Sequence, residues 1–124
     1  MAMKDKFTKD FLNAISEIEV TLLNLSFSKY SFIESANSYY IKYNRGSTIV
    51  EFLFGPPEFR IEMIIYISGI KYAFKELFQI PAIMEWVKQN RNMNEVGRDL
   101  KSELNMLIGL LKISLPLIES DSLL

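Results

Sequence analysis

The sequence predicts an α+β domain in which helices cover an antiparallel sheet. Both ends of the chain carry apolar residues at helical spacing, whereas the middle is rich in aromatic and β-branched residues between turn signals. With 124 residues and 49% hydrophobic content, the chain is long enough for one core that needs no metal or disulfide. We therefore expect a single domain over residues 1–124, with an N-terminal helix, a three- to four-stranded antiparallel meander and two or three C-terminal helices packed on the sheet.

An amphipathic helix is predicted over residues 4–25. Its apolar side chains recur at intervals of three or four residues and so lie on one face: Phe7, Phe11, Ile15, Ile18, Leu22 and Leu25. Charged residues such as Lys9 and Glu17 take the other faces. The helix is expected to stop within residues 26–29.

The last part of the chain is predicted to be helical as well. We expect a short helix over residues 70–78 and a second over residues 81–89. A leucine-rich last helix is expected to begin after Asn92 and Glu95, which have the spacing of a capping box. Pro116 is expected to mark its end.

Four strands are predicted between these helices, at residues 30–36, 39–44, 47–54 and 58–67. A tight turn at Gly55 would place Val50 opposite Glu62. In that register the core face consists of Ile49, Leu53, Phe59, Ile61, Met63, Ile65 and Ile67. The second face consists of Val50, Phe52, Phe54, Arg60, Glu62, Ile64 and Tyr66, joined by Tyr39, Ile41 and Tyr43. The second face is too apolar for solvated surface, so we expect a helix, a partner or a second copy (a homodimer) to cover it.

The composition argues against most enzyme classes. The chain has no histidine and no cysteine, which removes the commonest general base, the commonest zinc ligands and the thiolate nucleophile. Its five glycines stand far apart, so no loop is expected to hold a nucleotide phosphate. We therefore expect no enzymatic activity, no cofactor and no metal site.

Charge and hydropathy also restrict the partners. The net charge is −1 and the basic residues are scattered, so no nucleic-acid surface is expected. The apolar stretches are interrupted by charged residues and proline, so no membrane span is expected either. The absence of cysteine and of a secretory pattern leads us to expect a cytoplasmic protein.

One group of carboxylates is a candidate for catalysis. Glu51, Glu58 and Glu62 lie around one hairpin together with Arg60. Carboxylates on adjacent strands can hold a divalent ion or act as an acid and base pair. In the expected register Glu51 projects from the face opposite to Glu62, so cross-strand charge pairing is the preferred interpretation. A metal-dependent carboxylate nuclease or hydrolase remains an alternative.

The layout of the chain resembles immunity proteins of bacterial polymorphic-toxin systems. The resemblance lies in the helix over residues 4–25, the meander over residues 39–67 and the leucine-rich helix closing at residues 115–121. It implies a small cytosolic α+β domain that binds a toxin and blocks it. An accessory protein of a phage or mobile element, with a structural or oligomer-forming role, is a further alternative.

These considerations predict a protein-binding domain, with a toxin domain as the expected partner. The expected contact residues lie around the meander turns: Tyr39, Tyr43, Arg45, Glu58, Arg60 and Glu62. Tyrosine and arginine are enriched at interface hot spots, and acidic groups would attract the basic surface typical of a toxin nuclease. An alternative acidic patch forms if the two ends of the chain lie together, from Glu17, Glu19, Glu119 and Asp121.

Overall fold

The computed structural model describes residues 2–35, 38–55, 60–95 and 100–122. The first helix, α1, spans Ala2–Asn24. The strands that follow are β1 (Ser28–Ser35), β2 (Ser38–Arg45), β3 (Thr48–Gly55), β4 (Arg60–Ile67) and β5 (Ile70–Tyr72). Three helices close the described part of the chain: α2 (Phe74–Leu77), α3 (Pro81–Glu95) and α4 (Leu100–Ser122). The predicted α+β layout is confirmed.

The five strands form one antiparallel sheet in chain order, from β1 at one edge to β5 at the other. The turn from β4 to β5 consists of Ser68 and Gly69, whose φ angles of 51° and 85° suit a two-residue hairpin turn with both central residues left-handed. The chain therefore reverses at this point, and residues 70–72 pair with β4. The prediction of a helix from residue 70 is wrong for these residues, and α2 begins at Phe74.

The register of β3 against β4 differs from the predicted one. Val50 lies opposite Ile65 rather than Glu62, a shift of three residues along β4. The physical reason is the connection after Gly55: β4 begins at Arg60, so four residues (56–59, outside the described ones) separate the strands in place of a tight turn. Because the shift is odd, it moves Val50 and its alternate neighbours to the same face as Ile65.

The core face of the sheet follows from this pairing. It carries the buried side chains of β2, β3 and β4: Tyr39, Ile41, Tyr43, Thr48, Val50, Phe52, Phe54, Ile61, Met63, Ile65 and Ile67. Helix α1 packs on it through Phe11, whose ring stacks on that of Phe54 at 4.6 Å between centroids. Helix α4 lies beside α1, and its Glu103 accepts a 2.9 Å hydrogen bond from the backbone N–H of Ile61. The predicted core face was therefore right for the β4 residues from Ile61 to Ile67 and wrong for Ile49 and Leu53, while Phe59 lies outside the described residues.

Helix α1 buries the predicted stripe, from Phe11 to Leu22, while the side chain of Phe7 lies outside the described part. The helix ends in a Schellman motif. Ser26 has a left-handed φ of 72°, and its N–H donates to the carbonyl of Leu23 at 2.9 Å. The N–H of Phe27 donates to the carbonyl of Leu22 at 3.0 Å, and the Phe27 side chain is buried. This cap fixes the direction in which the chain enters β1.

Helices α3 and α4 depart from their predicted limits. Helix α3 continues to Glu95, so Asn92 and Glu95 do not begin the last helix, and residues 96–99 lie outside the described ones. Helix α4 passes through Pro116, which the sequence predicts to be its end. Pro116 is exposed, and so is Lys112, so water can reach the carbonyl that loses its helical donor.

Helices α3 and α4 approach each other closely at Gly109. A Cβ atom at this position would lie 2.9 Å from Cζ2 of Trp86. The absence of a side chain therefore lets the indole ring of α3 rest against the backbone of α4.

Candidate functional site

The sheet has a second face, which we call the outer face. It carries the residues that alternate with the core face along the four long strands: Ile33, Tyr40, Lys42, Asn44, Ile49, Glu51, Leu53, Glu62, Ile64 and Tyr66. The pairing arranges them in rows across the strands, and one row runs from Ile33 to Glu62 through Tyr40 and Leu53. The outer face thus mixes apolar and charged side chains over four neighbouring strands.

The helices lie on the opposite side of the sheet from this face. The buried apolar side chains of the helices belong to one cluster with core-face residues such as Phe52 and Met63. Among the described residues, no apolar side chain of the outer face belongs to that cluster or packs against it. Ile64 shows the contrast, because it is only 8% exposed and yet lies outside the cluster. Its partner across the strands is Glu51 of β3.

Glu51 occupies the centre of the outer face and is only 8% exposed. It lies directly opposite Lys42 on β2 and Ile64 on β4. The hydroxyl of Tyr66 donates a long hydrogen bond of 3.4 Å to its Oε1 atom. Burial raises the pKa of Tyr66, and the nearby Glu51 carboxylate raises it further because its charge opposes a phenolate. The centre of this face therefore holds a shielded carboxylate between a lysine and a tyrosine.

Glu62 is an exposed acidic residue of the same face. It lies opposite Leu53, two residues along β3 from Glu51, so the two carboxylates are diagonal neighbours on adjacent strands. The expectation that they project from opposite faces is wrong, since it depended on the incorrect register. Glu58 lies outside the described residues, and within the described ranges no three acidic side chains come together to hold a metal ion.

Two predicted contact residues, Tyr39 and Tyr43, lie on the core face. Their side chains are 3% and 0% exposed, respectively. The hydroxyl of Tyr39 donates to Glu34 on β1 at 3.0 Å, and that of Tyr43 donates to Glu19 on α1. Tyr39 thus bonds to the neighbouring strand β1 and Tyr43 to α1, and a partner would reach them only if α1 moved.

Arg45 sits at the end of β2 and is bonded within the protein. Its Nη2 atom lies 2.8 Å and 3.0 Å from the two carboxylate oxygens of Glu119 on α4, and Nη1 donates to the carbonyl of Leu25 at 2.9 Å. The guanidinium also lies over the ring of Phe27, at 4.8 Å from its centroid. Thr48 donates to the same Glu119 carboxylate at 3.1 Å. Arg45 thus connects the ends of α1, β2 and α4.

The remaining predicted contact residues divide between the outer face and the undescribed part. Arg60 begins β4, but its side chain lies outside the described part, as does Glu58. The structure therefore brings Glu62 alone among the six to a described exposed position. The sequence analysis did not include the outer-face residues Tyr40 and Lys42 among the contact residues. Side chains along β2 alternate between the two faces, so inward-facing Tyr39, Ile41 and Tyr43 would have placed Tyr40 and Lys42 on the outer face.

The alternative acidic patch forms only in part. The ends of α1 and α4 do meet, because Arg45 contacts both. Glu119 is engaged by Arg45 and Thr48, and Glu19 by Tyr43 and Lys29. The side chain of Asp121 lies outside the described part. Glu19 and Glu119 therefore hold the fold together at this end of the domain.

Comparisons with known proteins identified no relative of this chain. No family model matches the sequence. The searches of curated proteins and of solved structures give no significant match either. Among the described residues, none of the helices has both the length and the apolar character needed to cross a bilayer.

Proposed function

We propose that the protein is a non-catalytic binding domain whose partner is another protein and docks on the outer face of the sheet. The observation that supports this proposal is that the sheet has two faces with apolar residues and that, within the described part of the chain, the helices cover only one of them. The solvated face of an antiparallel sheet normally consists of polar residues. The outer face instead presents Tyr40, Ile49 and Leu53, all half-buried, around a shielded carboxylate.

The chemistry of the outer face suits a protein partner. Its tyrosines, Tyr40 and Tyr66, offer rigid contact area with a polar end. Lys42 and Glu51 stand opposite each other at its centre, and Glu62 lies exposed beside them. Charged groups in such positions set the orientation of a partner more than its affinity. The face therefore combines apolar area with groups that can select one docking direction.

The leading version of this proposal is a cytoplasmic immunity protein that inhibits a bacterial toxin domain. It is supported by the α+β layout that resembles such proteins and by Glu62, which can attract a basic partner. Docking would place the partner on the open side of the sheet and leave the helices free. Inhibition would then follow from covering the toxin's active surface, with no chemistry required of the bound protein.

The test uses the product of the neighbouring gene in the genome that encodes this chain. We expect that product to stop cell growth, co-expression of this protein to restore growth, and the purified pair to bind. Leu53→Asp and Glu62→Lys, both on the outer face, should weaken binding by about tenfold or more. The matched controls Met84→Asp and Glu85→Lys make the same changes at exposed positions of α3 and should leave affinity unchanged.

Two outcomes would reject the proposal. Equal losses in the outer-face variants and the α3 controls would show that binding does not depend on this surface in particular. Cleavage of nucleic acid by the purified protein with Mg²⁺ or Mn²⁺, abolished in Glu62→Ala, would favour the carboxylate-based enzyme instead.

A further inference from the structure

Strand β1 forms a long free edge of the sheet. It spans Ser28–Ser35 and pairs with β2 on one side, and no described strand pairs with its other side. Seven of its eight residues are exposed. The opposite edge strand, β5, has only three residues. A long edge strand of this kind presents a row of N–H and C=O groups that can pair with another extended chain.

Exposed apolar side chains concentrate at this edge. Tyr30, Phe32 and Ile33 of β1 are 61%, 44% and 50% exposed. On α1, Val20 and Leu23 are 61% and 53% exposed. These five are most of the large apolar side chains that lie exposed in the described part of the chain, where Ile70 and Met84 are the others.

Helix α1 and strand β1 meet at this edge of the domain. Glu19 of α1 forms a 3.4 Å ion pair with Lys29 of β1, which fixes the helix beside the strand. Leu23 lies one helical turn beyond Glu19 on the same side, and Val20 is its neighbour three residues earlier. Val20 and Leu23 therefore lie on the helical side of this edge together with Phe32, whereas Ile33 projects to the outer face.

We propose that two copies of this chain associate through antiparallel pairing of their β1 strands, which joins the two sheets into one of ten strands. The proposal rests on the self-complementarity of β1. A two-fold axis at Phe32 places this residue opposite its own copy and Ser31 opposite Ile33, with each pair on one face of the sheet.

The charges of β1 match in the same register. Lys29, Phe32 and Glu34 lie opposite core-face residues of β2, so all three project to the helical side. Because of the β-bulge at Tyr30, the two residues Lys29 and Tyr30 together lie opposite a single residue of a paired strand. In the proposed dimer that single residue is Glu34 of the second copy. The two-fold axis forms this opposite-charge pair twice. Moving the axis to Ile33 would instead set Phe32 against Glu34, so the charges favour the first register.

The first experiment measures the mass of the protein in solution over a wide concentration range by light scattering and sedimentation. We expect the wild type to dimerise, and Phe32→Glu to raise the dimer dissociation constant by about tenfold or more. Ile70→Glu makes the same change at an exposed residue of the opposite edge and should dimerise as the wild type does. A wild type that stays monomeric, or a Phe32→Glu variant that dimerises normally, overturns the proposal.

A charge-swap experiment provides the specific test and does not depend on Phe32. Lys29→Glu and Glu34→Lys should each be monomeric, because each sets like charges together twice. Mixed in equal amounts, the two variants should form a heterodimer, since both cross-strand pairs are then of opposite charge. Circular dichroism verifies that each variant is folded, and absence of the heterodimer from a mixture of folded variants refutes the pairing. The outer-face proposal is tested by partner binding, so each can fail without the other.

Discussion

One carboxylate oxygen, Oε2 of Glu19, accepts the 2.9 Å hydrogen bond from the buried hydroxyl of Tyr43. The same oxygen lies 3.4 Å from the ammonium of Lys29. It therefore connects α1 to two neighbouring strands, β2 through Tyr43 and the edge strand β1 through Lys29. Burial, followed by the hydrogen bond and the charge of Glu19, raises the pKa of Tyr43 well above its ordinary value of 10.0.

The raised pKa of Tyr43 predicts a loss of stability in alkaline solution. Above pH 10 the unfolded chain releases the phenolic proton while the folded protein retains it, so the free energy of unfolding falls as pH rises. The contribution of this group is fully present below pH 10 and decreases by up to about 1.4 kcal/mol per pH unit above it. Urea unfolding between neutral and strongly alkaline pH measures the slope. Tyr43→Phe should flatten it, and an unchanged slope in this variant would contradict the raised pKa of Tyr43.

Arg45→Ala should lower the free energy of unfolding by about 2 kcal/mol. The substitution removes bonds to Glu119 and to the carbonyl of Leu25, and Phe27 loses its cationic neighbour. Lys88→Ala, at an exposed position of α3, should change stability by less than about 0.5 kcal/mol. Denaturant unfolding compares the two. An Arg45→Ala variant as stable as the wild type would contradict a structural role for this residue.

Ser26→Gly should stabilise the protein by about 1 kcal/mol. Ser26 occupies the left-handed position of the α1 cap with a φ of 72°, a conformation that costs any residue with a Cβ more than it costs glycine. The same substitution at Ser16, exposed within α1, should instead destabilise the protein by a few tenths of a kcal/mol, since glycine is the poorer helix former. Thermal and urea unfolding of both variants should therefore show shifts of opposite sign.

Gly109→Ala should destabilise the protein even though alanine favours helix by about 1 kcal/mol. The added methyl group would lie 2.9 Å from Cζ2 and 3.1 Å from Cη2 of Trp86. In a Trp86→Leu background that contact is absent, so there Gly109→Ala should become stabilising. A double-mutant cycle measures this coupling, and additive effects would show that the indole moves aside freely.

The order of elements was predictable because local patterns determine it. Helical spacing in α1 and α4 and the short turn at Gly46 each depend on a few neighbouring residues. Pro116 was misleading, because a proline disfavours the interior of a helix without always ending it, and at this exposed position water can reach the freed carbonyl. Residues 70–72 were assigned to a helix although pairing with β4, a contact between strands, decides their conformation.

The candidate site was less predictable because it depends on which residues of β3 and β4 share a face, and the sequence does not determine this register. The length of the connection after Gly55 decides whether Glu51 and Glu62 share a face, and one residue more or fewer reverses the answer. Burial of Tyr39 and Tyr43 depends on which face of the sheet α1 covers, and the alternation along β2 is the only local pattern that points to it. The expectation of a partner contact at the six predicted positions stays a prediction. Glu62 is the residue that belongs both to these six and to the proposed docking site on the outer face.

The chain-order arrangement of the strands has a consequence for folding kinetics. Each strand pairs with its sequence neighbour, so the sheet can form by successive local hairpins with small loop-closure cost. The pairing of α1 with α4 joins segments far apart in the chain and has to wait until α4 has been synthesised. A growing chain on the ribosome would thus hold a formed meander whose core face still lacks α4. We expect chaperone dependence to be greatest in that interval.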